Sequence, residues 1–206
     1  AGDIRNATVT FVNRETNTAL PGCSNLPVGL VNAGDLKTGI ATCNTTLTAD
    51  RTSGAYQYTV GIVVTGYYVR NSSEDDTIIT VAQPIPSNFI AGGGHLVLAN
   101  SAGLVPGTAG SKTNFGFNVK YTKSGTNLQG NINIIIRSGG HVYKIKGTAL
   151  SSLGVAGTAA NFSGKANITD VTDPLNPISL EGNATLQLWM MDNGEPGSSD
   201  TLASRC

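Results

Sequence analysis

Charge is scarce in this chain: Asp, Glu, Lys and Arg make up only 13% of its 206 residues, about half the usual share. Thirteen basic and thirteen acidic residues cancel. No global field therefore draws the protein to nucleic acid or to an anionic membrane, and neither is expected as a partner. Long apolar runs are missing too. The longest aliphatic cluster is Ile134-Ile135-Ile136, far below the roughly 18 residues that a spanning helix needs, so membrane insertion is not expected. The N-terminal AGDIRNATVTF has neither a basic n-region nor an apolar h-region, so it does not read as a signal peptide. That says nothing in favour of the cytoplasm. With 39% apolar residues, the chain still has enough material for sizeable cores.

Helical periodicity is also lacking, because no segment of eleven or so residues carries an apolar stripe at i, i+3, i+4 and i+7. Period-two alternation takes its place, and the fold class is expected to be all-β, with antiparallel sheets. Val9 and Phe11 alternate with Thr8 and Thr10 in a first strand. Tyr56, Tyr58, Val60, Ile62 and Val64 share one face of a long strand, with Gln57, Thr59, Gly61 and Val63 on the other. Ile79 and Val81 extend the pattern.

Gln83-Pro84-Ile85-Pro86-Ser87 holds two prolines that cannot donate to a sheet ladder, which predicts a linker over residues 84–88. Residues 1–83 then form one Ig-like β-sandwich, with turns at Pro21-Gly22, Ala33-Gly34, Ser53-Gly54 and Asn71-Ser72. Residues 89–206 form a second sandwich or flattened barrel in tandem with it. Its inward faces are Phe115, Phe117, Val119 and Tyr121, then Ile132, Ile134 and Ile136, then Tyr143 and Ile145. Phe162, Ala166 and Ile168 follow, with Ala184, Leu186, Leu188 and Met190 last. Lys123-Ser124-Gly125 and Ser138-Gly139-Gly140 mark turns between them.

Cysteine occurs three times. Cys23 and Cys43 flank a Pro/Gly-containing loop at a spacing that suits a disulfide in an oxidising compartment, the alternative being two reduced, half-buried thiols. Cys206 has no obvious partner.

Chemistry-bearing motifs are sparse. His95 and His141 are the only histidines and sit in separate strands, with no sequence pattern for a triad or a zinc site. Gly92-Gly93-Gly94 precedes a strand rather than a helix, so it suits a close backbone approach better than a phosphate cradle. Asp192, Glu195 and Asp200 are weak calcium candidates; a solvated turn with acids at its rim accounts for them better, and no metal or other cofactor is expected. Asp170 and Asp173 read the same way. Tyr56, Tyr58, Tyr67 and Tyr68 raise an aromatic sugar platform, against which the shared face of Tyr56 and Tyr58 argues for core. Asn-x-Ser/Thr sequons place candidate glycosylation at Asn6, Asn44, Asn71, Asn161, Asn167 and Asn183.

The runs GGGHLVL (92–98), KTNFGFNVKYTKSGTNLQGNINIIIRSGGHVYKIKG (112–147), FSGKANITDVTDPLNPISLEGNATLQL (162–188) and DNGEPGSSDT (192–201) resemble the post-COAP-1 domain of large bacterial secreted and cell-surface proteins. The resemblance spans about residues 89–202 and carries no catalytic residues. It implies an extracellular location, beside Ig-like repeats. Thr185 to Met191 reads as a full strand, whereas after Asp200 only Thr201 and Leu202 continue the pattern before Ala203-Ser204-Arg205-Cys206. A short closing strand leaves a sheet edge for other domains or copies of the chain to pair with.

The expected function is a non-catalytic structural module at the cell surface, serving as spacer, stalk or adhesive scaffold. The alternatives are a filament subunit, with Val9 and Phe11 on a strand donated to the next subunit, and a carbohydrate- or calcium-binding module.

Overall fold

A computed structural model of the chain describes residues 2–49, 55–82, 89–122, 127–195 and 197–206. The proposed linker 84–88, the turns at Ser53-Gly54 and Lys123-Ser124-Gly125, and Pro196 lie outside the described residues. The protein is all-β and every strand pairing is antiparallel. Among the described residues the helical pieces are two 3-10 turns, Ile4–Asn6 and Ser73–Asp75, and no helix is long and apolar enough to cross a membrane.

The first half contributes β1 (Ala7–Asn13), β2 (Thr18–Ala19), β3 (Leu26–Pro27), β4 (Gly29–Leu30), β5 (Gly39–Ile40), β6 (Ala55–Gly66), β7 (Arg70–Asn71) and β8 (Thr77–Ala82). Strands β1 and β6 form the spine of a six-stranded sheet; β2 and β3 pair with the outer side of β1, and β7 and β8 with that of β6. Strands β4 and β5 make a separate hairpin. Leu20, Cys23 and Val60 are the buried heart of a small core, covered by Phe11, Leu26, Cys43, Leu47 and Tyr58.

The second half is a meander of β9 (Phe89–Val97), β10 (Lys112–Tyr121), β11 (Leu128–Ser138), β12 (His141–Ala156), β13 (Ala159–Asp170), β14 (Ile178–Met191) and β15 (Thr201–Arg205). Each strand pairs with the next, giving one seven-stranded sheet. The sheet is curled. Phe117 of β10 and Phe162 of β13 have ring centroids 5.8 Å apart, whereas three inter-strand steps in a flat sheet span about 14 Å. Its concave face holds the main core, in which Val119, Ile132, Ile134, Ile145, Phe162, Ala166, Ile168, Leu186 and Leu188 are almost wholly buried. Register bulges between Gly147 and Ala149 and between Leu150 and Ser152 of β12 assist the curvature.

The convex face carries the first half. Ile78 of β8 packs on Ile135 and Val142, so the first sheet lies on β10–β12 rather than standing apart from them. The Gly-rich start of β9 is closely approached on both faces. A Cβ on Gly92 would meet the Phe117 ring at 2.7 Å, and one on Gly93 would meet Thr80 Oγ1 at 2.8 Å. The glycines thus serve backbone approach on both faces of one strand.

Candidate functional site

The expected disulfide is present. Cys23 and Cys43 are bonded with a Cα–Cα distance of 5.4 Å, while Cys206 is free and exposed. The bridge ties residues 41–49, which cover the small core through Cys43 and Leu47, to the β1–β3 side of the sheet. Tyr58 sends its hydroxyl to Thr48 O at 2.8 Å, so Tyr58 belongs to that packing. Tyr67 is exposed and stands edge-on to Tyr68, which separates it from Tyr56 and Tyr58.

Two arrangements stand out, and the first is a polar junction between the halves. The long strand β6 buries Gln57 and Thr59, only 3% and 2% exposed, on the face that alternation assigns to polar residues. Gln57 Nε2 donates to Asn118 Oδ1 at 2.5 Å. Glu15 accepts from Lys144 Nζ at 2.6 Å and from Thr59 Oγ1 at 2.7 Å, joining β12 to the first sheet. Arg137 is a clamp: Nε and Nη2 donate to the carbonyls of Glu74 and Asp76, and Nη1 to Lys112 O and Asn114 Oδ1. Arg14 lies across Gly61, where any Cβ would collide with its guanidinium. It donates through Nε to Asp76 at 3.0 Å and through Nη1 to Asn71 Oδ1 at 2.8 Å, and its Nη2 completes the ion pair at 2.9 Å.

Electrostatics differ between the two buried acids. Burial pushes Asp76 above the ordinary carboxylate range, against the hydrogen bonds and charge of Arg14. Burial pushes Glu15 up as well, but the charge of Lys144 and the hydrogen bonds from Lys144 and Thr59 outweigh it, leaving Glu15 below its usual value. Ionised Glu15 therefore stabilises the fold at neutral pH, and that contribution is lost as pH falls through its lowered pKa. Melting temperatures measured from about pH 5 to about pH 2 should fall less steeply for Glu15→Gln than for the parent chain; parallel curves would contradict the assignment.

The second arrangement is a seam. Curling brings the first strand of the meander towards the last, and a groove of about 860 Å³ lies between them. Ile90, Gly92, Phe115, Phe117, Met190 and Leu202 line it, and Asp192, Glu195 and Asp200 stand at one end. Among the described residues β9 pairs only with β10, and β15 only with β14, so both walls present strand edges. Towards the other end Val105 packs onto the core from the segment between β9 and β10. Strand β15 runs to Arg205, further than its sequence pattern suggests, yet its five residues cover only Gln187–Met191 of the fourteen in β14. Ile178 and Leu180, on the uncovered part of β14, are exposed.

Other sequence candidates take structural places. Val9 and Phe11 lie in β1, which is bonded on both sides within its own sheet: Val9 is paired with Val64 and Leu26, Phe11 with Ile62. The N-terminal segment expected as a free donor is therefore an inner strand. Asp192 accepts from Gly194 N, and Asp200 from Asn193 N, building the turn before β15; Asp173 does the same for Leu175 and Asn176. Among the described residues no group of three His, Cys, Asp or Glu side chains is placed to hold a metal. His141 Nδ1 lies 2.7 Å from Asp170 Oδ2, a pairing that the β12–β13 register creates. Thr172 Oγ1 donates to Asp170 Oδ1, accepts from Val142 N and lies 3.5 Å from the same Nδ1. This cluster ties down a turn. All six sequon asparagines, Asn6, Asn44, Asn71, Asn161, Asn167 and Asn183, are exposed. Comparisons with protein families, curated proteins and solved structures found no match to this chain.

Proposed function

We propose that this chain is a non-catalytic structural module of a secreted or cell-surface assembly, working as a spacer, stalk or adhesive scaffold. The observation that carries this reading is the buried polar junction, in which Arg137, Lys144 and Gln57 bind the two halves together. Such a junction suits a part that must hold its shape. The Cys23–Cys43 bridge supports an oxidising, extracellular setting. In this reading residues 89–202 are a post-COAP-1-like domain of the same setting, with residues 1–83 as a preceding Ig-like unit. Exposed sequons fit a glycoprotein in a host that glycosylates.

A second reading is favoured by the seam: subunits or neighbouring domains assemble by adding a strand to an open sheet edge. Size-exclusion chromatography and negative-stain imaging over a range of concentrations separate the two. Monomers throughout are expected of a spacer and would sink self-assembly, whereas ordered polymers would sink the lone spacer.

A further inference from the structure

The geometry points to a specific occupant for the seam between β9 and β15. It is an extended strand of another polypeptide, apolar at alternate residues, running antiparallel to both walls and carrying a basic residue at its C-terminal end. This rests on the strand-addition reading and adds the strand's direction and chemistry.

Direction follows from parity. Seven strands joined consecutively by antiparallel pairings leave the first and the last pointing the same way. Closing β9 directly onto β15 would give a parallel pair in an otherwise antiparallel sheet. One inserted strand, antiparallel to both, completes an even-numbered antiparallel ring and satisfies both rows of edge groups.

Composition follows from the walls. Strand side chains alternate, so every second residue of the insert points at Phe115, Phe117 and Met190, where apolar side chains extend the existing core. The intervening residues face solvent. Charge sets the polarity of the ends. Both β9 and β15 start at the end where Asp192, Glu195 and Asp200 stand, and among the described residues no Lys or Arg lines the groove. An insert antiparallel to both therefore finishes beside these acids. A lysine or arginine there is attracted, whereas a free C-terminal carboxylate is repelled, so the insert is an internal segment of its chain.

The test uses the intact protein and two capped seven-residue peptides of the same composition, threonine alternating with valine. One has lysine at its C-terminal end and the other is the reversed sequence. Binding is measured by calorimetry at peptide concentrations up to about 1 mM, and backbone amide exchange is followed in β9 and β15. The C-terminal-lysine peptide is expected to protect amides in both strands and to bind about fivefold more tightly than its reverse, the upper end of what exposed charge pairs supply. That preference should vanish in the Asp192→Asn/Glu195→Gln variant, whose side chains are both exposed, and in salt near 1 M. Equal binding of the two peptides, or protection of one wall only, overturns the inference while leaving strand addition standing. No binding from a chain that still polymerises overturns the seam as the site, and no binding from a chain that stays monomeric overturns strand addition as well.

Discussion

Asp76→Ala is expected to lower stability by about 3–5 kcal/mol, the usual cost of stranding one member of a buried ion pair. The Asp76 and Arg14 side chains are only 5% and 7% exposed, so water cannot replace the lost carboxylate. Arg14 would keep its contact with Asn71 and lose its counter-ion. For a chain of this length that corresponds to a fall in melting temperature of roughly 6–20 °C. The pair Arg14→Met/Asp76→Leu should recover most of the loss, because two apolar side chains carry no desolvation cost. The raised pKa of Asp76 agrees with this, since the cost of burying its charge exceeds what Arg14 and the neighbouring cations return. Thermal melts of the two variants decide the matter; a loss below about 1 kcal/mol in Asp76→Ala would mean that water reaches Arg14.

Breaking the Cys23–Cys43 bridge is expected to cost about 3 kcal/mol through the freedom restored to a loop closed over a separation of 20 residues. The first half depends on it because the core under this loop has, among the described residues, just Leu20, Cys23 and Val60 as buried members, too little apolar burial to hold residues 41–49 in place without a staple. Cys23→Ala/Cys43→Ala, or reduction of the parent chain, should lower the melting temperature by several degrees. Amide exchange should accelerate in β1 and β6 before β11 to β13, whose core is larger. An unchanged melt under reducing conditions would show that the bridge contributes nothing to the fold.

Much of the second half was legible in the sequence. Alternation in KTNFGFNVKY and NINIII assigns Phe117, Val119, Ile132, Ile134 and Ile136 to one face, and these residues do form the concave core. The spacing of Cys23 and Cys43 likewise pointed to their bridge. Other features were hidden because pairing partners override local preference. Gly92 to Gly94 make poor strand residues, yet they sit in β9 because Phe117 and Thr80 press on its two faces. Ala203, Ser204 and Arg205 have weak strand preference, yet continue β15 because Trp189, Leu188 and Gln187 offer them a ladder. The His141–Asp170 contact joins residues 29 positions apart and exists only through the β12–β13 register.

The candidate sites were less legible than the fold. Gln57, Thr59, Asn114 and Asn118 occupy polar positions in alternating strands, a pattern that ordinarily marks a solvated face. Their burial arises because another sheet packs on this face and meets part of their hydrogen-bonding capacity, Gln57 through Nε2 and Asn118 through Oδ1, and no local pattern records that. The short last strand suggested an open edge, but a single edge does not make a groove.

By itself, the sequence determined strands rather than helices, the apolar face of each strand in the second half, and the turns between them, because side-chain alternation and turn chemistry are local properties. Only the tertiary structure decided that the first sheet rests on the convex side of the second through buried charges, and that the meander curls until its two end strands flank a groove. Both depend on contacts between residues far apart in the chain, whose strength is set by burial and by the partner each group meets, quantities that exist only once the chain has folded.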